Sequence, residues 1–250
     1  MCGFAGFYGQ EKEKEEILQN MLRTIVHRGP DSEGKYLDED IALGFRRLSI
    51  VDLSEHGNQP MFNENRSLVL VYNGEIYNYR ELMPELIAAG HRFKSHTDSE
   101  VLLHGYEEWG EKLPEKLRGM FAFIIWDRKQ LFGARDMFGI KPFYYSKMGD
   151  TVLFASEIKA MLEHPAFHKE LNEEVLRLYL TFQFVPTDET FFKNVYCLPP
   201  AHYFIFDGEN VRKVCYHPFD FCPDGSGSHQ HMLDKMEKNT GGICAGASDR

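Results

Sequence analysis

Four runs of β-branched and aromatic residues, at 121–126, 130–134, 143–146 and 151–155, follow one another with only short polar or Gly-containing turns between them. Strands so close together pair antiparallel, because a parallel crossover needs a dozen or more residues. They read as an antiparallel meander. Similar runs stand at 41–47 and 68–72, and another pair, 202–206 and 211–216, flanks the turn signal Asp207-Gly208. Apolar residues on one helical face (Ile17, Met21, Leu22, Ile25) mark a helix over 13–26. Helices are also expected at 79–89, dented by Pro84, at 98–109, capped by Thr97 or Asp98, and at 157–163 and 172–180. Strands grouped apart from helices, rather than alternating with them, predict an α+β fold of layered sheets that helices must cover.

Two hundred and fifty residues, 43% of them hydrophobic, suffice for one large domain. A formal charge of -10 works against sequence-independent phosphate binding, so no nucleic-acid partner is expected. No run of about 18 apolar residues occurs, and the start lacks a basic stretch followed by an apolar one. Neither a membrane span nor a signal peptide is therefore expected, and the cytoplasm is the expected compartment. Five cysteines without a close C-x-x-C pair fit a reducing environment. Cys215, His217, Cys222, His229, His231 and Cys244 match none of the usual zinc spacings, and no metal site is expected. After Phe221 the composition turns to Pro223-Asp224-Gly225-Ser226-Gly227-Ser228, with a short helical pattern near 232–238. Residues 2–217 thus read as the folded domain and 218–250 as a linker-like tail.

The chain opens Met1-Cys2-Gly3-Phe4. A second-position cysteine becomes the N-terminal residue when the initiator methionine is trimmed, which its small side chain permits. Thiol and free α-amine then share one residue, a nucleophile with its own general base. The thiol needs that base, since a thiol is mostly protonated at neutral pH whereas an α-amine titrates close by.

Cys2-Gly3, Arg46-Arg47-Leu48-Ser49-Ile50-Val51-Asp52, Asn73-Gly74-Glu75-Ile76-Tyr77-Asn78 and Thr97-Asp98-Ser99-Glu100, in that order and at those spacings, resemble class II glutamine amidotransferases. Further blocks narrow the resemblance: His27-Arg28-Gly29-Pro30-Asp31, Gly119-Met120-Phe121-Ala122-Phe123, Arg135-Asp136, Gly139-Ile140-Lys141-Pro142 and Phe154-Ala155-Ser156-Glu157. With them, the sequence from Cys2 to about His217 is similar to the glutaminase domain of glutamine-hydrolysing asparagine synthetases. Arg-Leu-Ser-Ile-Val-Asp and Asn-Gly-Glu-Ile-Tyr-Asn set it apart from the amidophosphoribosyltransferase and glucosamine-phosphate synthase types.

The resemblance implies a four-layer αββα sandwich of the N-terminal nucleophile hydrolases, in agreement with the layered α+β reading. It also implies hydrolysis of L-glutamine to glutamate and ammonia through a Cys2 thioester. Asn73 and the Gly74 amide resemble the oxyanion hole, the side-chain amide of Asn73 aiming at the oxygen and Gly74 keeping a side chain out of the way. Arg47 takes the place that holds the glutamine carboxylate, for which a planar guanidinium is suited. Asp98, assisted by Glu75, takes the place that receives the α-ammonium, and the backbone of Leu48, Ser49, Ile50 and Val51 lines the same pocket. His27 to Asp31 reads either as a loop over the pocket or as a plain Gly-Pro turn. Arg135-Asp136 reads as a buried ion pair and Gly139 to Pro142 as a turn, with no chemistry assigned to Lys141.

Glutamine hydrolysis of this kind needs no cofactor. In the family, ATP and Mg serve a second domain that makes asparagine from the released ammonia, marked by a Ser-Gly-Gly-x-Asp-Ser loop. That loop does not occur in these residues. Asparagine synthesis by this chain alone is not expected, and a separate synthetase domain or subunit is the expected ammonia acceptor. The alternative is a truncated, non-catalytic remnant or a regulatory binding module.

Overall fold

The computed structural model describes residues 1–49, 57–95, 97–219 and 228–248. In chain order the elements are β1 (Gly3–Tyr8), α1 (Lys14–Thr24), β2 (Ser32–Leu37), β3 (Ile41–Arg47), β4 (Met61–Phe62), β5 (Val69–Ile76), α2 (Tyr79–Ala88) and α3 (Asp98–Trp109). There follow α4 (Leu113–Lys116), β6 (Gly119–Trp126), β7 (Leu131–Arg135), β8 (Tyr144–Met148), β9 (Thr151–Ala155), α5 (Ile158–Met161) and α6 (Glu173–Phe182). The chain continues through β10 (Val195–Cys197), β11 (His202–Phe206), β12 (Val211–Cys215) and α7 (His229–Ser248). Among the described residues the strands form two six-stranded sheets, ordered β10-β8-β9-β1-β3-β2 and β12-β11-β7-β6-β5-β4, with antiparallel ladders throughout.

Side-chain alternation decides which layer each residue serves. In β1, Phe4 lies between the sheets while Ala5 and Phe7 meet Leu18, Met21 and Leu22 of α1 and Met161 of α5. In β5, Val69 and Val71 lie between the sheets, while Leu70, Tyr72 and Ile76 pack under Leu82 and Leu86 of α2 and Leu102, Leu103 and Tyr106 of α3. The sequence of layers is helix, sheet, sheet, helix, the expected αββα sandwich. Each sheet is covered by helices on one face and by the other sheet on the second, which is why its central strands read as nearly unbroken apolar runs. Burying one Phe such as Phe4, fully enclosed, is worth roughly 1.5–3 kcal/mol.

The expected meander at 121–155 divides. β6 and β7 belong to one sheet, β8 and β9 to the other. The corner between them is organised by Asp136, whose carboxylate accepts backbone N–H groups from Phe121 (3.2 Å), Phe138 (3.1 Å), Ile140 (2.9 Å) and Lys141 (3.0 Å). The expected Arg135–Asp136 ion pair does not form. Arg135 instead donates to the carbonyls of Lys141 (2.8 Å), Leu198 (2.6 Å) and Gly139 (2.6 Å). Asp136 is thus saturated by backbone, and Arg135 is held by three carbonyls and the Cys197 sulfur (3.0 Å), which holds the chain as it crosses between sheets.

β1, β2 and β10 lack a sequence signal, since Gly3, Gly6 and Gly34 interrupt the first two and the third is short. β5 runs past the expected end at 72, and Asn73 and Gly74 pair with Ala122 and Phe121 inside the ladder rather than forming a turn. In the tail, α7 extends well beyond the helical pattern near 232–238 and continues through Gly241 and Gly242 against their low helix propensity. Residues 220–227, with Cys222, lie outside the described residues. No helix among the described residues is long and apolar enough to cross a membrane.

Candidate active site

Cys2 stands immediately before β1, half-buried, at the edge of the layer between the sheets. The Leu48 N–H lies 3.4 Å from its Sγ, and the Leu48 carbonyl lies 3.7 Å from the same sulfur. Its own carbonyl accepts Arg28 Nε at 2.9 Å, and Arg28 Nη1 reaches Glu157 Oε1 at 3.0 Å. Burial alone would raise the pKa of Glu157, but hydrogen bonds from Arg28, His27 and Lys159 outweigh it and bring the value down to about 2. The guanidinium is therefore held by a fully ionised partner. A Cβ at Gly3 would come within 2.9 Å of Arg28 Cδ, so a glycine there lets the arginine lie flat against the chain start. With Met1 in place, the Cys2 nitrogen is a peptide amide.

The segment His27 to Asp31 packs against the end of β3. It clamps the strand end from beneath: Asp31 N–H donates to the Arg47 carbonyl (3.1 Å), and Asp31 Oδ2 accepts the Ser49 N–H (2.7 Å). A Cβ on Gly29 would sit 2.3 Å from the Arg46 carbonyl carbon, so only glycine permits this approach. Leu48 and Ser49 are thereby fixed beside Cys2. Arg47, 8% exposed, ends β3 and donates from Nη1 to Asn58 Oδ1 at 2.7 Å, among other interactions. Ile50 and Val51, also expected to line the pocket, lie outside the described residues.

Asn73 shares the inter-sheet face of β5 with Val69 and Val71, the face that meets β1 and β3 across the sandwich. It is 2% exposed, and its Nδ2 has no hydrogen-bond acceptor among the described residues. An unpaired buried donor costs about 1–3 kcal/mol. Gly74 is required by packing on the other face, where a Cβ would stand 2.4 Å from the Met120 carbonyl and 2.6 Å from the Tyr72 ring. Glu75 follows on the Asn73 face, half-buried and with partners of its own.

Two side chains hold this part of β5 in register. Buried Gln59 acts as a surrogate strand, its Nε2 donating to the Tyr72 carbonyl (3.1 Å) and its Oε1 accepting the Tyr72 N–H (2.5 Å). From the helix layer, Asp98 Oδ2 accepts the Tyr72 hydroxyl (2.7 Å) and the Ile76 N–H (2.9 Å). Thr97 occupies the N-cap position of α3 and Asp98 its first turn, and no side-chain cap bond forms at Thr97. Desolvation pushes the Asp98 pKa above the usual aspartate value.

Cys2, Arg47, Leu48 and Ser49 thus form one contiguous group, Asn73 and Glu75 share the facing strand, and Asp98 approaches β5 from behind. Sequence reasoning missed the supports. Arg28 and Glu157 stood within blocks it had singled out, whereas nothing marked Gln59 or Tyr72. It also gave Lys141 no chemistry, yet this side chain is buried at the chain start, with Nζ 3.5 Å from Met1 Sδ. Burial, reinforced by the charge of Arg28, lowers the Lys141 pKa.

Residues 1–217 match the model of the glutamine amidotransferase domain family. Over 225 residues the chain is 44% identical to asparagine synthetase [glutamine-hydrolyzing] 1 of Bacillus subtilis, covering 86% of this chain and 35% of that protein. It is 37% identical over 242 residues to a putative asparagine synthetase [glutamine-hydrolyzing] 2 of Methanocaldococcus jannaschii, covering 86% of this chain and 46% of the relative. It therefore spans less than half the length of these relatives. Among solved structures, the allosteric regulatory enzyme of purine biosynthesis superposes with a TM-score of 0.67 at 20% identity, over 86% of this chain and 49% of that one. The glutamine phosphoribosylpyrophosphate amidotransferase of B. subtilis superposes with a TM-score of 0.64 at 20% identity, over 86% of this chain and 49% of that one. The layered fold is thus the one those amidotransferases use. The chain belongs to the glutamine amidotransferase domain family, and over that domain it is similar to the asparagine synthetases named above.

Proposed function

We propose that residues 2–217 form a domain that hydrolyses L-glutamine through a thioester at Cys2. With Met1 removed, the Cys2 α-amine takes the thiol proton, directly or through a water, and Sγ attacks the side-chain carbonyl carbon of glutamine. The carbonyl oxygen becomes an oxyanion held by Asn73 Nδ2 and the Gly74 N–H. As the intermediate collapses, the C–N bond breaks and the base returns its proton to the leaving nitrogen, releasing ammonia. Water then attacks the thioester, freeing glutamate and restoring the thiol. The orphaned Nδ2 of Asn73 carries this reading, because a buried donor without an acceptor is what an oxyanion site needs before substrate arrives.

Arg47 binds the α-carboxylate, and Asp98 with Glu75 binds the α-ammonium, while the backbone from Leu48 to Val51 lines the pocket. Asp98 spends Oδ2 on Tyr72 and Ile76, and a carboxylate offers about four acceptor positions in all. No cofactor enters this reaction. ATP and Mg belong with the synthetase domain that the named relatives imply, on this chain's tail side (218–250) or on a separate subunit, where the ammonia is consumed in the cytoplasm.

The test is glutamate release from L-glutamine by protein whose intact mass shows loss of Met1, beside Cys2→Ala. Release by the parent and none by the variant is expected. Equal release by both, or none from correctly processed parent, overturns the reading and favours a non-catalytic remnant.

A further inference from the structure

On the far side of the sheet that carries Asn73, two imidazoles and four carboxylates gather from three parts of the chain. His104 and Glu107 lie one turn apart on α3, His91 lies in the loop before it, and Glu64 lies in the turn between β4 and β5. One donor atom from each of His91, His104 and Glu107 lies within 4.8 Å of the others. Glu107 Oε2 stands 3.3 Å from His104 Nδ1 and 3.7 Å from His91 Nδ1, and Glu64 Oε2 stands 3.7 Å from His104 Nδ1. In a tetrahedral zinc site with bonds near 2.0–2.1 Å, donors are separated by about 3.3 Å.

The remaining atoms are arranged as a metal site needs. Glu107 Oε1 accepts Asn63 Nδ2 at 2.8 Å and Glu64 Oε1 accepts the Arg92 N–H at 3.1 Å, so each carboxylate turns its Oε2 toward the imidazoles. The distal nitrogens face further carboxylates, His104 Nε2 toward Glu100 Oε1 at 3.7 Å and His91 Nε2 toward Glu108 Oε2 at 3.5 Å. Carboxylates beside the distal nitrogens are what orient ligating imidazoles, and here they stand slightly beyond hydrogen-bond length. The His104 side chain is 1% exposed, and its Nε2 has no hydrogen-bond partner among the described residues. None of the four glutamates pairs with a lysine or arginine among the described residues. Four carboxylates against two imidazoles leave the cluster short of positive charge.

We propose that His91, His104 and Glu107, one donor atom each, bind a divalent zinc ion, with the Glu64 carboxylate adding negative charge beside His104. Two imidazoles and carboxylate oxygens suit this borderline ion. The ion would pin α3, whose first turn carries Asp98, to the loop before it that carries His91. The donors come from separated segments, so no spacing in the sequence reveals them.

Calorimetric titration of the chelator-treated full chain with zinc chloride should show one equivalent bound and a higher thermal midpoint. His91→Gln and Glu107→Gln, both at partly exposed positions, should each weaken zinc at least tenfold while leaving the metal-free circular dichroism spectrum intact. The cobalt(II) form should lack a thiolate charge-transfer band. Unchanged affinity in both variants, or a thiolate band, would place the ion on the cysteines and overturn the proposal. Absence of binding by the parent would leave an ion-pair network only, and would overturn it equally.

Discussion

Two fully enclosed polar side chains in this molecule have opposite surroundings. Asp136, at the corner between β7 and β8, is surrounded by four backbone donors, all within 3.2 Å. Asn73, in the middle of β5, keeps Nδ2 without any acceptor among the described residues. Both sit in low-dielectric layers where an unmade hydrogen bond is expensive. The saturated group is scaffold, since its partners are all part of the fold. The unsaturated one is a cost that the fold alone does not explain, and that a substrate oxygen would repay.

The sharpest way to break this contrast is to remove each group. Asp136→Ala strips the acceptor from four N–H donors and should destabilise the domain by about 3–5 kcal/mol. Thermal unfolding should fall by roughly 10 °C, taking activity with it. Asn73→Ala should do the reverse, lowering kcat for glutamine hydrolysis by about 10²–10³-fold with little change in the thermal midpoint. A large stability loss at Asn73, or none at Asp136, would erase the distinction.

A milder test concerns two carboxylates that burial opposes but donors ionise. Glu157 falls to about 2 through Arg28, His27 and Lys159. Glu100 also falls to about 2, through His104, the Ser95 hydroxyl and the backbone N–H groups of Lys94 and Ser95. Both folded-state values lie below the ordinary 4.5. Their stabilisation is therefore complete above pH 4.5 and disappears as pH falls toward 2, by at most about 3 kcal/mol each. Unfolding followed across that window should lose its steep acid limb partly in Glu157→Gln and partly in Glu100→Gln. Added salt should weaken the Glu157 contribution more, because two of its partners, His27 and Lys159, are exposed to solvent. The smallest effect belongs to the exposed Glu81–Arg118 pair at 2.8 Å: Glu81→Ala should move denaturant unfolding by no more than about 0.5 kcal/mol.

Most elements were legible because they announce themselves locally. The helices α1 and α2 carry one apolar face, α3 begins at the expected cap position Thr97, and β3, β9 and β11 are bounded by the turn residues that end them. β1 was not legible, for its glycines remove the apolar alternation, although it is the central strand that Cys2 immediately precedes. The candidate site residues were readable as a set of motifs, and the fold sets Cys2 beside Leu48 at the end of β3 and puts Asn73 within β5. Their supports were not readable, since Gln59, Arg28 and Glu157 act through hydrogen bonds to partners far along the chain.

By itself, the sequence determined the class of fold and the family, because period, turn residues and motif order are properties of neighbouring residues. Tertiary structure decided which sheet each hairpin joined, that Arg135 and Asp136 answer to backbone rather than to each other, and that Asn73 lies in a ladder with a donor to spare. It also brought His91, His104, Glu64 and Glu107 together. Those outcomes depend on long-range pairing and on the cost of burying polar atoms, which exist only once the layers have closed.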